Sequence, residues 1–348
     1  MTRIYLDHAA TTPLRPEAMA AMEQGFAMWS NPSSPHAEGR RAKAALEDAR
    51  ARCKAALGWD GELIFTSGAS EAAALALHHA RAGARLVSSV EHDCILGTAK
   101  QAERLPVRAD GALDLELLRE AVERERPLVA VQQVNSETGN AQDLGAISDI
   151  VTEAGGLLLA DCAQGAGKIP LPPCDMAILS AHKFGGPIGI GALLVRDYGM
   201  LEPVGGHERG YRRGTENLPG ALGMAAALES RGPYLGGDVV AARERLAGTV
   251  RAAGGTWFAD FLSAPTPFVN ALAMPAMSAT AQVMRFDMAG FAVSQGSACS
   301  SGTMKTSHVM QAMTVEKELA DRTIRLSLGW STTAGELDAF TDAWKSFA

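Results

Sequence analysis

The chain is short of the features that mark several specialised classes of protein. It has five cysteines, Cys53, Cys94, Cys162, Cys174 and Cys299, an odd number with no Cys-x-x-Cys pair. Neither a disulfide framework nor a zinc site is indicated, so any cysteine with a role must act alone. No apolar run reaches the roughly 18 residues that span a bilayer, and the opening MTRIYLDHAATTPLRP lacks the apolar segment of a secretory signal. The expectation is a soluble, cytoplasmic protein with no membrane partner. Basic charge is not in excess: Lys+Arg 32 against Asp+Glu 39 leaves a formal net charge of -7, and the basic residues are scattered, which argues against a nucleic-acid partner. Nucleotide loops are missing too. No Walker A sequence occurs, and Gly185-Gly186-Pro187-Ile188-Gly189-Ile190-Gly191 precedes a strand where the dinucleotide fingerprint needs a helix.

What remains is a chain of 348 residues, 47% hydrophobic and 20% charged, enough to bury a large core and to divide into two domains. From about 62 to 196 short apolar runs alternate with helical stretches. ELIFT leads through a glycine turn into an alanine-rich helix. RLVSSV, PLVAVQQV, LLLAD, DMAILSA and IGALLVR repeat the strand pattern. The fold class expected is α/β, with a mostly parallel wound sheet. Beyond about 250 the texture changes to Pro, Ala and Met, then the Gly/Ser-rich SQGSACSSGT, the strand RTIRLSLG and a final helix from Thr332. This predicts a large domain over 13–250 and a smaller α+β domain made of 1–12 and 251–348.

In wound sheets ligands collect beyond the carboxyl ends of the strands. Ser67, His92, Asn135, Asp161 and Lys183 all fall at or just after such ends, so these positions are expected to converge. A lysine is usually a solvated surface residue, but Lys183 follows the buried-type run DMAILSA, and burial lowers an amine's pKa toward nucleophilic use. Asp161 closes LLLAD; it is either a cap or turn residue, or a carboxylate held for a charged partner. One lysine able to form an imine, with a carboxylate placed to keep a ring nitrogen protonated, is the minimum equipment of a pyridoxal phosphate enzyme. The turn Thr66-Ser67-Gly68-Ala69-Ser70-Glu71 reads two ways, as a helix cap with Ser67 as the cap, or as an anion site on a helix N-terminus. Ser180 and His182 could complete a phosphate cup. His92 is either structural or a ring that stacks on a flat cofactor and moves protons. Cys53, Cys94, Cys162 and Cys174 read as buried and inert, whereas Cys299 lies in a small-residue polar loop from which a thiol can reach a site.

Ten segments, YLDHAATTP, NPSSPHAEGR, FTSGASE, VEHD, VNSETGNAQ, DCAQGAGK, SAHKFGGPIGIGALLVR, GGHERGYRRGTENLPG, SQGSACSSG and IRLSLGWSTT, resemble in kind and order those of the cysteine desulfurases of the NifS/IscS type, in the class V aminotransferase group of fold-type I pyridoxal phosphate enzymes. The resemblance implies that Lys183 anchors pyridoxal 5'-phosphate, Asp161 pairs with its ring nitrogen, Gln164 hydrogen-bonds its phenolic oxygen and His92 stacks on the ring. It assigns the phosphate to Ala69, Ser70, Ser180 and His182, with Thr215 supplied by the second subunit of a homodimer. Arg325 and Ser136 would meet the substrate L-cysteine, whose sulfur passes to Cys299 as a persulfide, leaving L-alanine, and then to a sulfur-acceptor protein serving iron-sulfur cluster or thio-cofactor synthesis. Three departures stand out: Ser136 where the family has a second asparagine, which predicts weaker substrate or cofactor binding at most; His8 where asparagine or tyrosine is usual; and a shortened stretch from 230 to 290. The alternatives are a selenocysteine lyase or other class V enzyme, which would leave Cys299 unexplained, and a catalytically weakened, cofactor-binding regulatory subunit.

Overall fold

Strands with no polar face need cover on both sides. The computed structural model describes residues 3–230, 232–295 and 307–348, and in it the central apolar runs are covered in that way. The first part of the chain comprises β1 (Ile4–Tyr5), α1 (Pro16–Met28), α2 (Ala37–Leu57), β2 (Glu62–Thr66), α3 (Ala69–His79), β3 (Arg85–Ser88), α4 (Asp93–Leu96), β4 (Glu103–Leu105), α5 (Leu115–Ala121), β5 (Leu128–Gln132), α6 (Leu144–Glu153), β6 (Leu157–Asp161), β7 (Met176–Ser180), β8 (Gly191–Val195) and α7 (Leu218–Leu228). After it come α8 (Gly237–Ala252), β9 (Thr256–Trp257), β10 (Val269–Ala273), α9 (Ala279–Met288), β11 (Phe291–Ala292), α10 (His308–Ala312), α11 (Lys317–Ala320), β12 (Thr323–Ser327) and α12 (Ala334–Phe347).

Seven strands form one sheet in the order β2-β8-β7-β6-β5-β3-β4. Strands β3 to β7 are parallel to their neighbours among themselves, and β8 runs antiparallel between β7 and β2. The expected α/β class with a mostly parallel sheet is therefore the observed one. Alternation along each strand sorts its side chains between two cores. Leu63, Phe65, Val129 and Val131 face a core shared with α1, α2, α5, α6 and α7. Ile64, Leu128, Ala130 and Ile178 face another, under α3 and α4.

A third core gathers around the antiparallel strands β9, β10 and β12. The N-terminal segment joins it: β1 pairs with β11, and Ser327 N donates to Leu6 O at 2.8 Å. The sequence-based boundary at 250 cuts this core. Val239, Ala242, Leu246 and Val250 on α8, spaced as one helical face, are buried with Leu337, Phe340 and Trp344 of α12. By packing, α8 goes with the C-terminal region. At the centre Phe286 is fully buried, stacked on Phe340 at 4.6 Å and edge-on to Phe291 at 6.3 Å. Phe286→Ala should destabilise the protein by about 3–5 kcal/mol, the cost of lost aromatic burial plus a cavity. Denaturant unfolding of the two proteins measures it, and a cost under about 1 kcal/mol would contradict this packing.

Candidate active site

The loops beyond the carboxyl ends of β3, β5, β6 and β7 enclose a cavity of about 680 Å³. Of the residues singled out in the sequence, Ser67, Ala69, Ser70, His92, Ser136, Asp161, Gln164, Ser180, His182, Lys183 and Arg325 line it. Asn135 does not. Its amide is turned into its own loop, Oδ1 accepting from Glu137 N and Thr138 N at 2.9 Å, which shapes the turn that presents Ser136. Thr215 is exposed, in the segment between β8 and α7, and is not part of the cavity wall. Cys299 lies outside the described residues.

Lys183 stands in a tight turn directly after the buried strand β7. Its Nζ donates to the carbonyls of Ala9 and Ala10 at 2.6 and 2.9 Å. The segment carrying those carbonyls is fastened to the lysine loop, with Thr12 N on His182 O at 2.8 Å and Arg15 N on Gly185 O at 2.9 Å. Gly185 is needed there: its φ is +94°, and a Cβ would lie 2.6 Å from the Arg15 side chain. Burial, and the nearby Arg325 cation, push the Lys183 amine down to about 8, against a partial pull from Asp161 and Asp7. At neutral pH an appreciable fraction is therefore uncharged.

Asp161 is buried at the end of β6. Burial raises its carboxyl above the ordinary carboxylate range, opposed by the Ala163 N–H at 2.9 Å and by the charges of His92 and Lys183. His92 caps α4 through Nδ1, which accepts from Cys94 N at 3.1 Å. In the neutral ring the proton is thereby placed on Nε2. Burial and Lys183 push His182 down to about 4, so it acts as a neutral ring, and its Nδ1 lies 3.1 Å from Thr11 Oγ1.

Of the two readings of the turn after β2, its geometry removes the one with Ser67 as the cap. The N-cap of α3 is Gly68, which makes no side-chain cap bond, so the first N–H groups of an 11-residue helix meet the cavity without one. Glu71, in the first turn, would repel an anion were it free. Its Oε2 accepts from Ser67 N and its Oε1 from Arg212 at 2.9 Å, and these contacts outweigh burial to hold its carboxyl below the usual range. What remains is a positive, donor-rich end.

Arg325, buried on β12, donates from Nη2 to Asp7 at 2.8 Å and from Nη1 to the carbonyl of Ser136 at 2.9 Å. The contact to position 136 is thus made by backbone, which serine supplies as well as asparagine. The sequence reasoning passed over Asp7 and Glu91. Glu91 is fully buried in the wall, Oε1 accepting from Gln132 N at 2.8 Å, and its signal was an acid between a strand and a helix start. Cys94, expected to be buried and inert, is half-buried and lines the cavity. Burial, then Asp161 and Glu91, push its thiol up, which leaves it a poor nucleophile. His8 is a packing residue: its ring lies 5.1 Å from Tyr5, edge-on, and occupies the space where a Cβ on Gly329 would fall.

The model of the class-V aminotransferase family matches residues 4–340, and the chain belongs to that family. A cysteine desulfurase of Cereibacter sphaeroides is 38% identical over 367 residues, covering 97% of this chain and 94% of its own. The IscS cysteine desulfurase of Proteus mirabilis is 34% identical over 365 residues, with 96% and 90% covered. Among solved structures, a NifS-like protein from Rickettsia africae ESF-5 matches with a TM-score of 0.89 at 29% identity over 99% of both chains. SspA in complex with cysteine matches at 0.82 and 28% identity, over 95% of this chain and 100% of that one. Within the family the chain is of the NifS/IscS type.

Proposed function

We propose that this protein is a pyridoxal phosphate-dependent cysteine desulfurase, working as a cytoplasmic homodimer that converts L-cysteine to L-alanine. The observation that carries the reading is the meeting, in one cavity, of Lys183, Asp161, Gln164 and His92 with the uncapped start of α3. That donor set fits the cofactor group by group. Lys183 offers an amine to an aldehyde, Asp161 a carboxylate to a ring nitrogen, Gln164 an amide to an oxygen, and Ala69, Ser70, Ser180 and His182 surround the phosphate position, with Thr215 reserved for the partner's cavity. Bound there, the cofactor supplies an electron sink for charge developing at the substrate α-carbon.

The protein's own groups do the rest. Arg325, which already holds the carboxylate of Asp7, has the planar fork that orients a substrate carboxylate. Lys183 Nζ, lowered to about 8, can hold and return the α-proton near neutral pH. Substrate sulfur goes to the thiolate of Cys299. The balance is cysteine plus a Cys299 thiol giving alanine plus a Cys299 persulfide, from which an acceptor protein draws sulfur for iron-sulfur clusters or thio-cofactors. Cys94 is the wrong thiol for this step because its surroundings keep it protonated.

The test is an absorption spectrum of the purified protein with pyridoxal phosphate, followed by alanine and persulfide assays with L-cysteine. Cys299→Ala should keep the spectrum and lose sulfide release by at least about a hundredfold, as expected when a nucleophile is removed. Undiminished release in that variant would exclude Cys299 as acceptor and favour the lyase alternative. Cofactor uptake without any alanine would favour a regulatory subunit.

A further inference from the structure

Lys168 has no part in the chemistry just described, yet it sits beside it. It follows Gln164 by one helical-type turn in the segment after β6, and instead of a carboxylate its Nζ meets Gln164 Oε1 at 3.1 Å. The faces of Phe268 and Tyr234 lie 5.0 and 5.3 Å away. Burial, with Lys183 and Arg325 nearby, pushes the amine down to about 7. A cation in such a place is costly, and a methionine would fill the same space between the rings without that cost.

The hydrogen bonds say what the lysine does there. Charged or neutral, the lysine amine has N–H groups to donate, as it does to Gln164, and a carbonyl can only accept. Gln164 lies between one of each, with Oε1 on Lys168 and Nε2 donating to Ala9 O at 2.8 Å. The two ends of the amide are thereby fixed by its neighbours. Ala9 O also accepts from Lys183 Nζ, so this contact belongs to the cavity wall. One N–H of Gln164 is spent on Ala9, and the other is left for a ligand.

Resting on the reading of the cavity as a pyridoxal phosphate site, we propose that Lys168 is a positioning residue: it locks the Gln164 carboxamide so that its N–H, and not its oxygen, is offered to the oxygen substituent of the bound ring. A donor at that place stabilises negative charge on the ring oxygen and lowers the pH at which the visible absorbance of the bound cofactor changes. With Lys168 gone, the amide is held at one end only, by the Ala9 carbonyl, and its N–H is less firmly directed at the ring.

The experiment is a pH titration of that absorbance in the holoprotein for wild type, Lys168→Met, Gln164→Ala and the double variant. Lys168→Met should raise the midpoint by about one pH unit, the size expected for loss of one charge-assisted hydrogen bond. In the Gln164→Ala background the same change should shift it by less than about 0.3 unit, because there is no amide left to orient. Near-ultraviolet circular dichroism without cofactor checks each fold, with Lys168→Leu in place of Lys168→Met and Gln164→Leu in place of Gln164→Ala where the first choice fails it. An unchanged midpoint in Lys168→Met overturns the inference alone, as does an equal shift in both backgrounds, which would make Lys168 a simple through-space charge. A wild-type protein that takes up no pyridoxal phosphate overturns the inference and the cavity reading together.

Discussion

Lys183→Ala should abolish covalent attachment of pyridoxal phosphate and lower cysteine turnover by about a thousandfold or more, since it removes the proposed anchor and the group proposed to move the α-proton. Borohydride reduction followed by mass spectrometry reads the attachment directly: the wild-type protein should carry a reduced adduct on the peptide containing Lys183, and the variant none. A persistent reducible adduct in the variant would refute the assignment. Wild-type kinetics add a pH signature. An ammonium is not a nucleophile, and the amine is lowered to about 8 by burial and Arg325. The rate of cofactor capture should therefore rise about tenfold per pH unit below 8 and level off above it. Capture rates in stopped flow between pH 6 and 9 check this, and a flat profile would mean that the amine is not held in that environment.

Asp161→Asn should have the next largest effect, with an opposite sign on stability. The substitution keeps size and can keep the bond from Ala163 N at 2.9 Å, but removes the charge proposed to face the ring nitrogen. Turnover should fall by about a hundredfold to a thousandfold, the scale seen when one preorganised electrostatic partner is lost. Cofactor uptake should change far less, because Lys183 and the phosphate contacts remain. Stability moves the other way. Burial raises the folded-state pKa of Asp161, so its ionised form costs stability at every pH above its ordinary value, increasingly until the raised value is passed. Without cofactor, Asp161→Asn should thus melt higher than wild type at pH 7. Thermal melts of the two apoproteins and steady-state alanine formation test the pair of expectations. A variant with unchanged turnover would count against the role, and one that melts lower would count against the burial argument.

Much of this was legible in the residues. The apolar runs at β2, β3, β5, β6, β7 and β8 are short, uninterrupted and closed by turn residues, so the wound sheet and its carboxyl-end loops followed from pattern alone. Because the positions after those strands share one edge of the sheet, the sequence alone groups Asp161, Lys183, His92 and the α3 turn. The misses have a common cause, which is that they depend on which way a side chain turns. Asn135 has the right position and the wrong direction. Ser67 has the right type for a cap, but Gly68 takes that place, and this leaves the helix end open to an anion. Helix α8 carries an apolar face that period alone cannot assign to one core or another.

The linear chain by itself determined the element types, the sheet, the absence of Cys-x-x-Cys pairs and Walker A loops, and the candidate set of reactive groups, because these depend on local periodicity and residue chemistry. Tertiary structure alone decided how those groups are tuned. Asp7 meets Arg325 across 318 positions, and Lys183 reaches the carbonyl of Ala9 across 174. The buried pair Arg50 and Glu208, 158 positions apart at 2.6 Å, holds a turn of the loop that carries Thr215. Desolvation and Coulomb interaction depend on distance in space, which no spacing along the chain records.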